Sequence, residues 1–225
     1  MTSADGTQKA GVLIVDDHAF LRRGLVDIIE DLPETFVCGE AAGASEALDC
    51  IRARRPDVAV IDISLGDGNG IELTKEIKSQ WPEIKVLISS MHDETLYAER
   101  ALRAGALGYI NKSDEVEQFI EALRRVMTGQ IYLSTAMTNR VLSQVGSRHN
   151  ETALPTMQKL SDRELEVFEL IGNGIGTKEI ATRLDLSRKT VETYREHIKS
   201  KLGLRNGTEL THHAVRWVLD QTPAV

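Results

Sequence analysis

Four apolar runs in the first half of the chain each end on a polar or charged residue: VLIV before Asp16, VAVI before Asp62, VLIS before Ser90 and GYIN before Lys112. A fifth run, FVCGE, follows the first. Runs of about four to eight residues that are apolar at consecutive positions describe strands buried on both faces, as in a parallel sheet covered by helices. Between them lie segments with helical spacing, near His18 to Asp31, Ser45 to Arg55, Ile71 to Gln80, Glu94 to Ala104 and Asp114 to Thr128. Strict alternation of strand and helix predicts an α/β domain built on a five-stranded, doubly wound parallel sheet over residues 11–130. Pro56 and Pro82 stop helices just ahead of the third and fourth strands, and Gly105 ends the helix after ALRA.

The pattern then changes. Residues 131–158 read as a linker with one extra helix, Ser134 to Val145, followed by the polar, aperiodic stretch GSRHNETALPTMQ. Residues 159–220 read as a second, smaller, all-α domain. Ser161 and Glu164 form a capping box that opens a helix with Leu165, Phe168, Leu170 and Ile171, which Gly172, Gly174 and Gly176 end. The short helix TKEIATRL, the turn DLS and a long helix from Ser187 to Leu202 follow. A last helix near Thr208 to Leu219 puts Leu210, Ala214 and Trp217 on one face. Two helices joined by a tight turn, with basic and hydroxyl residues opening the second, match a helix-turn-helix DNA reader.

Asp16, Asp17, Asp62, Ser90 and Lys112 are polar positions that packing does not require, and all stand at carboxyl ends of strands. In an open parallel sheet those ends converge on one crevice, so the five predict a single site. Three carboxylates there repel one another, and a hard, oxygen-seeking dication would stabilise their shared ionisation. The combination suits cation binding and acceptance of a phosphoryl group.

Charge adds a second asymmetry. The net charge is −7, yet residues 1–154 carry −8 and residues 155–225 carry +1, with +3 concentrated between Asp185 and Arg205. An acidic module joined to one able to approach a polyanion is the expected reading, and a solvated helix face is the plainer alternative. No apolar run reaches the ~20 residues that span a bilayer, and MTSADGTQKAG contains no stretch like a signal peptide, so no membrane association and a cytoplasmic location are expected. Cys38 and Cys50 read as small apolar residues rather than a disulfide.

These motifs resemble two families in tandem: a response-regulator receiver over residues 11 to about 130, with the flavodoxin-like fold, and a LuxR-type helix-turn-helix over 159–220. SDRELEV, KEIATRL and SRKTVETYREHIKSKLGL occur in the required order, and the combination resembles the NarL/FixJ class of two-component transcription factors. The resemblance implies that Asp62 accepts a phosphoryl group from a partner histidine kinase. It implies that Asp16, Asp17, Asp62 and the main-chain carbonyl of Ser64 hold Mg²⁺, that Lys112 pairs with the phosphoryl oxygens, and that Ser90 and Tyr109 form the switch. It further implies contacts to double-stranded DNA carrying repeat sites, by Thr177 and Lys178 to the backbone and by Arg188, Lys189 and Thr190 at the helix start. Glu192, Thr193 and Glu196 match base-facing positions, and Arg195 and Lys199 on the same helix complete the set. A homodimer on activation and contact with RNA polymerase are the other expected partnerships.

The chain departs from the pattern at three points. Gly66 stands where receivers usually have proline, which predicts a looser loop. Ser113 replaces the proline after Lys112 and leaves the isomer of that peptide open. Gly207 replaces a common arginine, which predicts a weakened contact or cap at the last helix. Other readings stay open: Glu192 and Glu196 could serve only to pair with basic neighbours on their helix. A phosphorylation-independent DNA regulator, with the receiver kept as a protein-binding module, is the alternative function. A phosphatase of the haloacid dehalogenase type is disfavoured because Ser64, not an aspartate, stands two residues after Asp62. Adjacent histidines on a helix point apart, so His212 and His213 predict no metal site.

Overall fold

The computed structural model describes residues 9–146 and 156–221, and the chain divides into two compact units, 1–146 and 147–225. In the first, the elements run β1 (Ala10–Val15), α1 (Ala19–Glu30), β2 (Thr35–Ala41), α2 (Ala44–Arg54), β3 (Val58–Ile61), β4 (Ser64–Leu65), β5 (Gly68–Asn69) and α3 (Gly70–Gln80). They continue with β6 (Lys85–Ser90), α4 (Glu94–Ala104), β7 (Gly108–Asn111), α5 (Val116–Met127) and α6 (Thr135–Gly146). The main sheet is five-stranded and parallel, as the sequence pattern predicts, and its strand order is β2-β1-β3-β6-β7. Strand order reverses beside β1, which opens the crevice at the carboxyl ends of β1 and β3.

Both faces of the sheet are buried, which explains why the strands read as unbroken apolar runs. Val12, Ile14, Val58, Val60, Leu87 and Ile110 pack with Ile29 of α1 and Phe119, Leu123 and Val126 of α5. The alternate residues Leu13, Ala59, Ile61, Val86 and Ile88 are buried as well. Register then places the site: Val15 pairs with Ile61 and Ile61 with Ile88, so the next residues along, Asp16 and Asp62, emerge together. The ladder runs one step past the strands, with Asp62 N–H donating to Val15 O at 2.8 Å.

The segment SLGDGNG folds as a small antiparallel hairpin, β4–β5, in which Leu65 pairs with Gly68 around Gly66 and Asp67. A tether offsets the looseness expected from Gly66. The Asp67 carboxylate accepts hydrogen bonds from Ala44 N (2.6 Å) and Ser45 N (3.0 Å), so it caps α2 from a distant loop. The helix's own N-cap residue, Gly43, has no side chain to do so, and a Cβ on it would lie 2.2 Å from Asp67 Oδ1. Partial burial raises the Asp67 pKa, but the Ser45 and Ala44 amides outweigh it and hold the carboxyl below its ordinary value of 3.8. Asp67→Ala is expected to cost about 1 kcal/mol at neutral pH. Because the folded pKa is depressed, that contribution is complete above the unfolded value and fades as pH falls through the folded one. Urea unfolding midpoints of the two proteins should therefore converge in acid.

The helix of the expected linker, α6, packs against α4 within the first unit. Of the stretch GSRHNETALPTMQ, residues 147–155 lie outside the described residues. No peptide bond is cis among the described residues, so the Lys112–Ser113 bond is trans. Cys38 is buried in β2 and Cys50 half-buried in α2, both as free thiols.

In the second unit a 3-10 turn (Thr156–Lys159) leads to α7 (Asp162–Gly172), α8 (Thr177–Arg183), α9 (Arg188–Leu202) and α10 (Gly207–Gln221). The Ser161–Glu164 capping box is present. Gly172 has a packing role beyond ending its helix: a Cβ there would lie 2.5 Å from Ala214 O, so the missing side chain lets α10 lie close against α7. Phe168 meets Trp217 edge to face with ring centres 5.5 Å apart, over buried Leu210 and Ala214. Asp185 takes a left-handed conformation (φ 49°) in the turn between α8 and α9. Arg163 braces that turn by donating to Leu184 O at 2.8 Å. Gly207 leaves the last helix capped, because Asn206 Oδ1 accepts the Glu209 amide at 2.9 Å.

Candidate functional site

Asp16 and Asp62 are almost wholly buried at the ends of β1 and β3, whereas Asp17 is exposed at the rim. Lys112, one residue beyond β7, inserts its ammonium between the two buried carboxylates, 2.7 Å from Asp16 Oδ2 and 2.6 Å from Asp62 Oδ2. Only the contact with Asp62 has hydrogen-bond geometry, which leaves Asp16 Oδ2 buried without a hydrogen bond. Asp16 Oδ1 accepts from His18 N at 2.8 Å, an Asx-type turn that aims the other oxygen into the crevice.

Donor atoms of Asp16, Asp17, His18 and Asp62 all lie within 4.8 Å of one another. Burial raises the Asp17 pKa; His18 counteracts this, while Asp62 and Asp16 raise it further. A dication would relieve that crowding and satisfy the orphaned Asp16 oxygen, so the residues present fit a hard, carboxylate-seeking ion such as Mg²⁺. His18, whose Nδ1 is 2.7 Å from Asp17 Oδ1, belongs to this cluster and was not foreseen from sequence. Its signal was its place directly after the acidic pair.

Ser90 is fully buried at the end of β6, and its hydroxyl accepts a long bond from His92 N at 3.4 Å. Tyr109 is buried in β7, and its hydroxyl donates to His92 O at 2.7 Å. Ser64 opens β4 with its hydroxyl 2.9 Å from His92 Nε2, and the His92 ring packs on Tyr97 of α4 with centres 4.6 Å apart. His92 thus joins the loop after Asp62, the two residues expected to form the switch, Ser90 and Tyr109, and α4. Gly70, at the start of α3, approaches Asp62 so closely that a Cβ would lie 1.9 Å from the Asp62 carbonyl oxygen. Sequence reasoning missed both residues.

The ten residues expected to meet DNA all lie on α8 and α9, outside the buried core. Ser187 caps α9 by accepting the Thr190 amide at 3.0 Å. Val191 and Ile198 face inward, so helical spacing puts Lys189, Glu192, Thr193 and Glu196 on the outer side, and Arg188 in the first turn is exposed as well. Lys199 lies 2.9 Å from Glu196, and Arg195 lies 3.8 Å from Glu192. These are the intrahelical pairs of the alternative reading. Lys178, Arg188 and Lys189 form no ion pair among the described residues, so their charge is available to phosphates.

The profile of the response regulator receiver domain matches residues 12–124, and that of bacterial regulatory proteins of the luxR family matches residues 158–214. The chain belongs to the LuxR-type two-component response regulators. This response regulator is 37% identical over 209 residues to the oxygen regulatory protein NreC of Staphylococcus aureus, spanning 91% of this chain and 96% of that protein. A LuxR-family two-component response regulator from Aurantimonas sp. SI85-9A1 superposes with a TM-score of 0.58 at 32% identity, covering 62% of this chain and 99% of that one. The response regulator RcsB of Salmonella typhimurium shares the fold at 24% identity, with a TM-score of 0.65 over 92% of this chain and 98% of that one. Family membership makes this response regulator a transcription regulator, a receiver unit joined to a DNA-binding unit. No helix among its described residues is long and apolar enough to cross a membrane.

Proposed function

We propose that a partner histidine kinase phosphorylates Asp62 and that the acyl phosphate raises the affinity of the second unit for repeat sites in double-stranded DNA. The observation that carries this reading is the buried Asp16–Lys112–Asp62 arrangement, whose orphaned oxygen and buried ammonium suit an incoming cation and phosphoryl group. An Asp62 carboxylate oxygen attacks phosphorus, the bond to the kinase imidazole breaks, and the imidazole leaves with the electron pair. Mg²⁺, held by Asp16, Asp17, Asp62 and the Ser64 carbonyl, supplies charge neutralisation when bound. His18 orients Asp17 from outside. Lys112 keeps its Asp62 neighbour and takes a phosphoryl oxygen in place of Asp16. Ser90 gives up its weak bond to the His92 amide and donates its hydroxyl to the phosphoryl group.

Arg188, Lys189, Thr190, Thr177 and Lys178 position the protein on phosphates, and Thr193, Glu192 and Glu196 meet base edges, with Arg195 and Lys199 steadying the two glutamates. A homodimer on DNA would set two α9 helices about 34 Å apart, one turn of duplex. This activity belongs in the cytoplasm, where RNA polymerase is the downstream partner.

Capture of genomic fragments by the full chain with Mg²⁺, with and without beryllofluoride, tests the reading. Enrichment of a shared repeat with the mimic, lost in Asp62→Asn, is the expected result. Equal enrichment by wild type and Asp62→Asn in both conditions would instead support the phosphorylation-independent regulator.

A further inference from the structure

Tyr132 is fixed by its main chain and its ring, yet its hydroxyl has nothing to bond. The main chain forms a parallel bridge to β7, donating its N–H to Leu107 O at 2.9 Å and accepting the Tyr109 N–H at 3.1 Å. The side chain belongs to the same apolar cluster as Leu87, Phe119 and Val126, and the residue is 9% exposed. A phenol this buried normally finds a hydrogen-bond partner. The Tyr132 hydroxyl has none among the described residues. It meets a cavity of about 370 Å³ within the first unit, whose walls include Glu94, Tyr109, Asp114, Glu121 and Arg125. The charges that act on the hydroxyl are those of the cavity. Burial pushes its pKa above the ordinary value, Glu121, Asp114 and Glu94 push it further, and Arg125, 5.9 Å from the ring centre, opposes them. The hydroxyl stays neutral and can both donate and accept.

The cavity is also short of positive charge. Arg125 is paired with Glu121 at 2.6 Å. Glu94 and Asp114 form no ion pair among the described residues, and each gives one oxygen to a backbone amide: Glu94 Oε1 accepts from Ser134 N at 2.9 Å and Asp114 Oδ2 from Asn111 N at 3.0 Å. Three carboxylates facing one guanidinium leave a formal charge of −2. These carboxylates do not converge on a point. Among the described residues, the donor atoms that lie close enough together to share one ion are those of Asp16, Asp17, His18 and Asp62. The cavity therefore offers no cage for a bare dication. Its charge is spread around a volume with room for about a dozen water-sized groups, and Leu133 and the two tyrosines supply apolar wall. That combination suits a dication whose two charges stand apart on an aliphatic stem.

We propose that this cavity binds a short aliphatic diamine, with one ammonium paired to Glu94, the other to Asp114, and the Tyr132 hydroxyl oxygen accepting from the nearer of the two. Each ammonium gains a charge-assisted hydrogen bond, and the buried phenol gains the partner it lacks. The site is separate from the Asp16–Asp62 crevice, and its occupancy does not depend on Asp62 being the phosphoacceptor. A diamine held there gives the receiver unit a second chemical input.

Isothermal titration of the full chain with putrescine, a four-carbon diamine, tests it, in saturating Mg²⁺ so that the acidic crevice is filled. One diamine per chain is expected, with butylamine bound about fivefold or more weaker and the matching four-carbon diol not bound. Glu94→Gln and Asp114→Asn keep the oxygens that accept from Ser134 and Asn111 and remove only charge. Tyr132→Phe keeps the ring in the core and both main-chain bonds and removes only the hydroxyl. Each of the three is expected to weaken the diamine about fivefold, while thermal unfolding shows the fold intact. Lack of saturation at millimolar diamine overturns the proposal. Saturable binding that survives all three substitutions also overturns it, because the amine then sits elsewhere. Equal binding of the diol does the same, since the cavity would then make no demand for charge.

Discussion

Lys112→Ala is expected to destabilise the metal-free protein by about 3 kcal/mol or more, with much of the loss recovered in Mg²⁺. The side chains of Lys112, Asp16 and Asp62 are 6%, 2% and 5% exposed, so the alanine would leave two carboxylates out of water with no counter-charge. The favourable part of such an arrangement is small, but removing one partner exposes the full cost of the other charges. A dication entering the same crevice supplies what the ammonium did. Urea unfolding with EDTA and with saturating Mg²⁺ reads both halves of the effect. A metal-free midpoint equal to wild type would mean that the crevice is wet and the pairing weak.

Gly70→Ala has the second large expected effect, on stability and on loading of the site together. The new methyl would meet the Asp62 carbonyl oxygen at 1.9 Å, its carbon at 2.8 Å and an Ile61 methyl at 3.0 Å. Two of these are backbone atoms, and they belong to Asp62, the residue proposed to receive the phosphoryl group. The Gly70 N–H is also tied to Ile63 O at 2.8 Å, so α3 cannot back away without losing that bond. A loss of about 1–3 kcal/mol is expected, together with weaker beryllofluoride binding. Gly66→Ala, four residues earlier in the turn of the β4–β5 hairpin, is the control: its Cβ would face open space, and stability should stay within about 0.5 kcal/mol of wild type. Equal behaviour of the two variants would show that the close approach at Gly70 is not constraining.

The large elements were legible because each repeats a period long enough to read. Strands buried on both faces gave apolar runs, and α9 declared itself by the Ser187 cap and by Val191 and Ile198 on one side. Asp16, Asp62, Ser90 and Lys112 were legible for a different reason: a charged or hydroxyl residue ending an apolar strand has no packing purpose there. What stayed hidden depends on contacts between distant parts of the chain. The β4–β5 hairpin has two residues per strand and hence no period, and Asp67 caps a helix 23 positions away. His92 takes its importance from a backbone carbonyl and two ring contacts, none visible in the residue's identity. Tyr132 looked like linker because a single-residue bridge leaves no pattern. The glutamates of α9 illustrate a further limit, since the spacing that faces Glu192 and Glu196 outward also sets them beside Arg195 and Lys199.

The bridge at Tyr132 also bears on how the molecule avoids its own kind. An open sheet has two rims, each offering unpaired amides and carbonyls to any extended chain. At the β2 rim, side chains fill the openings: Glu30 accepts the Val37 amide at 2.7 Å and Arg54 donates to Cys38 O at 3.0 Å. At the β7 rim the chain lays down a piece of its own backbone instead. One rim is thus shielded by side chains and the other by a main-chain bridge whose tyrosine is anchored in the core. Protection of the β7 rim from strand-to-strand aggregation therefore draws on the two main-chain hydrogen bonds of Tyr132.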